Sequence, residues 1–355
     1  MKILVLGGGA QGSVIASDLA ETLTHARVTV ADIRRPPLPA LPNLEWIEAD
    51  GSDSAALAPL MNGYDLVVGA LPSWLGFGAM RAAIEARRPI VDVSFSAESP
   101  LALDADARRA GVAVVPDCGL APGLSHLLVG RAIAEHGTPD EVVILVGGVA
   151  QDPARPFGYV VTWSVDDLLE EYVRPARVRR AGRAVEVPVF GDYERVRFDG
   201  VGEMEAFLSD GLRTLLETHP DVPDMSEKTL RWPGHVEAIR PLLAQGRLVE
   251  TFRARCTVDP PEDLVVLAVR GRWGSHTRET LLVDRYDPRS GRSAMSRTTA
   301  LTTSACAQAM ATGLACEPGV QPLERVAKDA RAFAFVRGAL AQRGVRIGEP
   351  APMPG

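Results

Sequence analysis

The sequence predicts an α/β protein in two parts: a doubly wound parallel sheet at the N-terminus and a second α+β domain built on a largely antiparallel sheet. Three observations predict this. The apolar run KILVL passes directly into Gly7-x-Gly9-x-x-Gly12. Short apolar strands alternate with amphipathic helices as far as Asp117. Beyond Pro122 the texture changes to longer stretches in which apolar and polar residues alternate.

In the first part the strands read KILVLG, RVTVAD, LEWIEAD, DLVVGAL, PIVDVSF and VAVVPD. The first enters a glycine turn of the Rossmann type. Gly7 permits the tight turn, Gly9 lets backbone approach a pyrophosphate, and Gly12 lets the helix pack on the strand. The helix N-terminus then supplies amide donors and positive potential. Asp32 ends the second strand twenty residues after Gly12, where a carboxylate accepts from the adenosine ribose and repels a 2′-phosphate. NAD is therefore the expected cofactor. Arg34 and Arg35 follow closely and leave NADP open. The residues expected to line this site are Gly7, Gly9, Ala10, Gln11, Gly12, Asp32, Ile33, Arg34, Asp50, Ala70, Leu71 and Pro72, the last three closing the fourth strand at its carboxyl end.

After Pro122, GLSHLLVGRAIAEHG reads as a helix leading to EVVILVGGVA. YVVTWS, RVRRAGRAVEVPVF, TFRARCTV, DLVVLAVRGRW and RETLLVDRY read as half-buried antiparallel strands, with AGR and DPRSGR as turns. TTALTTSACAQAMATGL reads as a helix of small residues suited to close packing, and GEPAPMPG as a disordered tail.

At 355 residues the chain exceeds one ordinary core, which fits two domains. A net charge of −7 with no long basic run argues against nucleic acid or an anionic membrane as partner. No apolar stretch approaches the roughly 20 residues that span a bilayer, and a cytoplasmic location is expected. Cys118, Cys256, Cys306 and Cys316 show no CxxC spacing, so reduced thiols and no metal site are expected. HExxH, GxSxG and Walker sequences are absent, which points away from zinc proteolysis, serine hydrolysis and phosphoryl transfer by the usual routes.

Three segments carry candidate chemistry. In Pro116–Gly123, at the end of the sixth strand, Asp117 would orient or deprotonate a cationic amine, or would cap a helix. Cys118 beside it reads as a buried thiol. In Glu227–His235, Lys228 and His235 are candidate acid–base groups. Arg231 is the choice for a bidentate clamp on an α-carboxylate, with an ion pair on a strand face as the alternative. Lys228 and Arg231 lie on opposite faces of an extended strand, so the two cannot share a pocket. In the third segment Gly148, Tyr159 and Trp163 would wall a pocket for an aliphatic chain, or pack in a core. His126, among apolar neighbours, reads as a hydrogen-bonded core histidine.

GGGAQG, PDCGLAPGLSHLL, GGVAQDPARPFGYVVTWSVDDLLEEYVRPARV, EAFLSDGLRTL and EKTLRWPGHVEAI, in that order, resemble the saccharopine dehydrogenase-like family and, within it, the lysine 6-dehydrogenases. The resemblance covers most of the chain. It departs at Ser94–Glu98, where a glycine-rich loop would stand, and after His235, where the chain looks shortened. It implies a nucleotide domain over 1–121, a substrate-binding and dimerisation domain over 122–300, C-terminal helices over 301–347 that return to the nucleotide domain, and a tail over 348–355. It also implies an NAD(P)-dependent enzyme, a homodimer or higher homo-oligomer, that oxidatively deaminates the ε-amine of lysine. Making or cleaving a secondary amine, as in saccharopine or carboxynorspermidine formation, is the second enzymatic reading. That reading needs two convergent cations, for which Arg174, Arg177 and Lys228 are candidates. A dinucleotide-binding sensor without turnover is the reading from another class.

Overall fold

The computed structural model describes residues 1–352. It divides into two compact units, one of Met1–Ala134 with Ser296–Gly344, the other of Glu135–Met295 with the chain from Val345 onward.

In the first unit β1 (Lys2–Leu6), β2 (Arg27–Asp32), β3 (Leu44–Glu48), β4 (Leu66–Gly69), β5 (Ile90–Asp92) and β6 (Ala113–Val115) form one parallel sheet in the order 6-5-4-1-2-3. Order reverses between β1 and β4, and in such sheets ligands lie beyond the strand carboxyl ends at that point. Strands β1, β2, β4, β5 and β6 are almost wholly buried, as a sheet covered on both faces requires, while β3, at the edge, has no buried residue. Helices α1 (Gly12–Thr22), α2 (Ser54–Met61), α3 (Ser73–Glu85) and α4 (Asp104–Ala110) supply the crossovers. A two-residue strand, Gly319–Val320, extends the sheet beside β6. The sequence gives it no strand signal, because two residues carry no periodicity.

Helix α5 (Leu124–His136) leads to β7 (Glu141–Ala150). With β8 (Ala176–Arg180), β9 (Arg183–Val187), β10 (Glu194–Phe198), β11 (Gly202–Leu208), β12 (Asp224–Arg231), β13 (Asp263–Trp273) and β14 (His276–Arg285), it builds the second sheet, in the order 10-11-12-7-13-14, with the β8–β9 hairpin joined to β12. Among the described residues of this sheet only β7 and β12 pair in parallel; the other pairings are antiparallel.

Two expected strands are not strands. YVVTWS runs irregularly into helix α6 (Val165–Val173), because Ser164 accepts from Asp167 N at 3.3 Å and Asp166 and Asp167 fill the first turn. TFRARCTV belongs to a helix, Leu248–Cys256, in which Leu248, Phe252 and Cys256 are buried at a spacing of four. Its apparent alternation shares Phe252 and Cys256 with this helical face, while Ala254 between them is exposed. Part of the tail is also ordered: Gly348 N donates to Leu281 O, and Ala351–Pro352 pairs with β14. Residues 353–355 lie outside the described residues.

The small-residue helix, Ala294–Ala311, is held in the first unit by a buried polar network in which Ser304 Oγ and Gln308 Nε2 donate to Asp18 of α1, with Arg343 as its cation. Among the described residues no helix is long and apolar enough to cross a membrane.

Candidate functional site

In the first unit the carboxyl ends of β1, β2 and β4 are drawn together by Gly7 N to Ala31 O and Ala70 N to Leu6 O, both 2.8 Å. Gly7 has φ +93°, and a Cβ there would stand 2.5 Å from Ala70 O. A Cβ on Gly12 would strike the Gly7 carbonyl, so helix and turn touch. Gly9 differs: a Cβ there would meet nothing, so the missing side chain leaves open space rather than a packed contact. No side chain caps the N-terminus of α1, where Gln11 holds a buried Oε1 without a partner. Asp32 accepts from Gly8 N at 2.7 Å and Arg34 N at 2.9 Å, which fixes its carboxylate over the turn. These features fit a dinucleotide: an uncapped helix end, an open approach at Gly9 and a fixed acid. Ala10 and Pro72 are exposed, Ala70 and Leu71 half-buried, and Ile33 stands 58% exposed after Asp32. Asp50 bonds the amide and hydroxyl of Ser52, which hold its carboxyl below the usual range.

Asp117 is buried at the end of β6 with φ +51°. Its neighbourhood contains Asp92, an acid the sequence reading passed over because it sits in the apolar strand PIVDVSF. Asp92 is fully buried; Ser94 donates to its Oδ1 through both amide and hydroxyl, and Oδ2 has no partner. Burial, with a smaller contribution from Asp117, pushes its carboxyl up to about 7.

In the second unit the Glu227–His235 segment divides as strand geometry requires. Lys228 points to one face of β12, where Nζ donates to Glu194 Oε1 at 2.6 Å and Asp192 O at 2.9 Å beside a polar cavity of about 430 Å³. The structure does not bring it to Arg231. Arg231 points to the other face and is buried. Its Nε donates to Tyr172 Oη (2.8 Å), Nη1 to Leu230 O (2.9 Å) and Nη2 to Glu171 Oε2 (2.5 Å). Its guanidinium carbon lies 5.3 and 5.5 Å from the ring centroids of Tyr159 and Tyr172. Trp163 Nε1 donates to Tyr159 Oη at 3.1 Å.

His235 opens the helix His235–Ala244, whose N-terminal amides are met from outside: Glu205 Oε1 accepts from Val236 N at 2.7 Å. His235 Nδ1 lies 2.7 Å from the Phe157 carbonyl, an acceptor, so Nδ1 carries the hydrogen and Nε2 accepts from Tyr172 Oη at 2.9 Å. Burial, then the Arg231 charge, pushes this imidazole down to about 3. With both nitrogens committed, His235 orients Tyr172 and is not a free base. Gly148 lies mid-strand in β7, where a Cβ would stand 2.5 Å from the Met295 methyl; its smallness serves packing. Thus Arg231, Tyr159, Trp163 and His235 come together. Glu171 and Tyr172, which sequence reading missed, complete the group. Leu168 and Tyr172, buried four apart in α6, were the signal available.

Two family models match the chain: the saccharopine dehydrogenase NADP binding domain over residues 3–115 and the saccharopine dehydrogenase C-terminal domain over 119–345. Saccharopine dehydrogenase (NADP+, L-glutamate-forming) of Schizosaccharomyces pombe is 25% identical over 232 residues, 62% of this chain and 52% of the relative. The enzyme of the same name from Saccharomyces cerevisiae is 24% identical over 267 residues, 70% of this chain and 58% of the relative. The chain therefore spans little more than half the length of these curated relatives. The solved apo structure of the histidine-tagged L-Glu-forming saccharopine dehydrogenase from Saccharomyces cerevisiae superposes with a TM-score of 0.80 at 18% identity, covering 99% of this chain and 100% of that one, a likeness of fold. With an open dinucleotide turn in one unit, and with both family domains matched in order over almost the whole chain, the protein belongs to the saccharopine dehydrogenase family.

Proposed function

We propose that the protein is an NAD(P)-dependent oxidoreductase acting on the CH–NH2 group of an amino acid, and that its reaction is oxidative deamination of the ε-amine of L-lysine to the 6-semialdehyde, which cyclises. The observation that carries the reading is the buried Arg231 guanidinium, which lies against two tyrosine rings with its rotation fixed by Tyr172. Such a fork matches an α-carboxylate. Gly7, Gly9, Gln11, Gly12 and Asp32 would hold the dinucleotide, which when bound supplies the two-electron acceptor.

The chain's own residues do the rest. Arg231 holds the carboxylate, and the half-buried indole of Trp163 receives the methylene chain, while Tyr159, packed between Arg231 and Phe252, backs the guanidinium. His235 stays neutral and keeps the Tyr172 hydroxyl turned away from Arg231 Nε, so that its oxygen accepts there. Asp117 is the proposed acceptor of the ε-ammonium proton. The nitrogen needs its lone pair before hydride leaves the ε-carbon, and water then adds to the imine and releases ammonia. A free lysine amine has a pKa of about 10.4, so the neutral form at pH 7 costs roughly 4.6 kcal/mol. Activity should therefore climb toward alkaline pH.

The second reading, formation or cleavage of a secondary amine, is favoured by the names of the relatives. It requires a second cation for a second carboxylate. Arg174 is paired with Glu170 at 3.2 Å, Arg177 with Asp210 at 3.0 Å and Lys228 with Glu194 at 2.6 Å, as Arg231 is with Glu171, so pairing alone does not decide between the readings. One experiment separates the readings: the protein is incubated with NAD or NADP and with lysine, ornithine, saccharopine and diamines, while reduced nicotinamide and free ammonia are both followed. Ammonia released in step with reduced cofactor supports deamination. Reduced cofactor without ammonia supports the second reading, and silence with every amine supports a non-catalytic sensor.

A further inference from the structure

The Arg231 cluster is graded from inside to outside. The Arg231 side chain is 3% exposed and that of its partner Glu171 is 30% exposed, so a ligand approaching the guanidinium meets the Glu171 carboxylate first. Of the five guanidinium N–H groups, Tyr172, Leu230 O and Glu171 take three, which leaves one on each Nη. A ligand bearing only a carboxylate, whether on those two N–H groups or in place of Glu171, sets a second acid beside Glu171 in a desolvated place. A ligand bearing an ammonium beside its carboxylate exchanges partner for partner and keeps the group neutral.

We propose that Glu171 is a specificity-determining residue that receives the α-ammonium of an amino acid whose α-carboxylate lies on Arg231, so that the Glu171–Arg231 pair reads a zwitterionic headgroup. This rests on the reading of Arg231 as the carboxylate site. Chains with one headgroup charge, such as ω-amino acids or simple diamines, are then rejected at the headgroup however well their chain fits. Glu171 touches no reacting atom, and its role is in KM rather than kcat.

The test uses the full chain in the presence of NAD and three ligands of one chain length: L-norleucine, hexanoate and hexylamine. Binding is measured by calorimetry for the wild type, Glu171→Gln and Glu171→Asp, with circular dichroism and melting temperature recorded for each. The wild type should bind norleucine at least about tenfold more tightly than hexanoate, in keeping with one charge-assisted hydrogen bond. Glu171→Gln should bring norleucine down toward hexanoate while hexanoate holds or improves, and Glu171→Asp should restore part of the difference. Any of three results overturns the proposal: equal wild-type binding of norleucine and hexanoate, no binding of either, or a Glu171→Gln variant that binds both more tightly by the same factor, which would mark Glu171 as a competing anion only. Headgroup discrimination without reduction of NAD or NADP by any amino acid would sink the proposed reaction and leave the role of Glu171 standing.

Discussion

The Tyr172 hydroxyl accepts a hydrogen bond from Arg231 Nε at 2.8 Å. The same hydroxyl donates to His235 Nε2, and His235 Nδ1–H is spent on the Phe157 carbonyl, so one chain of bonds fixes the rotation of the guanidinium. Tyr172→Phe keeps the ring beneath Arg231 but leaves a buried N–H and a buried imidazole nitrogen unanswered. Each unanswered group costs about 1–3 kcal/mol. Urea denaturation should show a loss of about 3 kcal/mol, and KM for the amino acid should rise more than kcat falls. An unchanged midpoint would show that the chain of bonds is not held in solution.

His235 gives this unit a one-sided response to acid. Burial and Arg231 push its folded-state pKa down to about 3, against about 6.5 in the unfolded chain. Between those values the unfolded chain takes up a proton that the folded chain refuses. Stability from this group is therefore complete above about pH 6.5 and falls by at most about 1.4 kcal/mol per pH unit below it. His235→Gln lacks this component. Its stability deficit relative to the wild type should shrink steadily from pH 6.5 to pH 4 in denaturant titrations. A deficit independent of pH would mean that His235 is protonated in the fold.

The parallel sheet was legible because its information is local. Five of the six strands are short apolar runs, four of the five crossovers carry a helix, and the glycines at 7, 9 and 12 stand where a Rossmann turn places them. The Arg231 site was half legible. Residue type pointed to Arg231, and the period of a strand separated it from Lys228. Its partners Glu171 and Tyr172, about sixty residues away, come from a helix whose start at Ser164 was hidden by a six-residue alternation. Asp92 was invisible for a different reason. An acid in an apolar strand looks like an irregularity until its neighbours Ser94 and Asp117 are placed around it.

Two glycines of one turn should fail differently. Gly12→Ala drives a methyl into the Gly7 carbonyl and should lower the melting temperature of the free protein. Gly9→Ala meets no protein atom, so the free protein should melt within a degree or two of the wild type. If a pyrophosphate passes at Gly9, that methyl should weaken NAD binding at least about tenfold, read by quenching of protein fluorescence. Undiminished affinity in Gly9→Ala would remove the pyrophosphate from this turn.

Asp32 has two duties that can be separated. Its carboxylate ties the turn through Gly8 N and Arg34 N, and it would repel a 2′-phosphate. Asp32→Asn keeps one acceptor oxygen and loses the charge. The ratio of NADP to NAD affinity should rise about tenfold or more, with Arg34 and Arg35 beside the added phosphate. A wild type that already prefers NADP, as the names of its relatives describe for them, would overturn the preference for NAD proposed from Asp32.

Asp92 opposes His235 in the pH dependence of stability. Its folded-state carboxyl stands at about 7 because burial outweighs the Ser94 bonds, against an ordinary value of 3.8. The folded chain thus holds a proton that the unfolded chain releases. This group's contribution is intact below about pH 3.8 and is lost as pH rises through about 7, by up to about 1.4 kcal/mol for each unit. Asp92→Asn, which keeps the shape of the protonated acid and still accepts from Ser94, should be no more stable than the wild type at pH 4 and clearly more stable at pH 8. Measuring both proteins in urea at the two values decides the matter. An effect of Asp92→Asn that is equal at both values would mean that the fold does not raise the Asp92 carboxyl, and would remove it from the pH dependence.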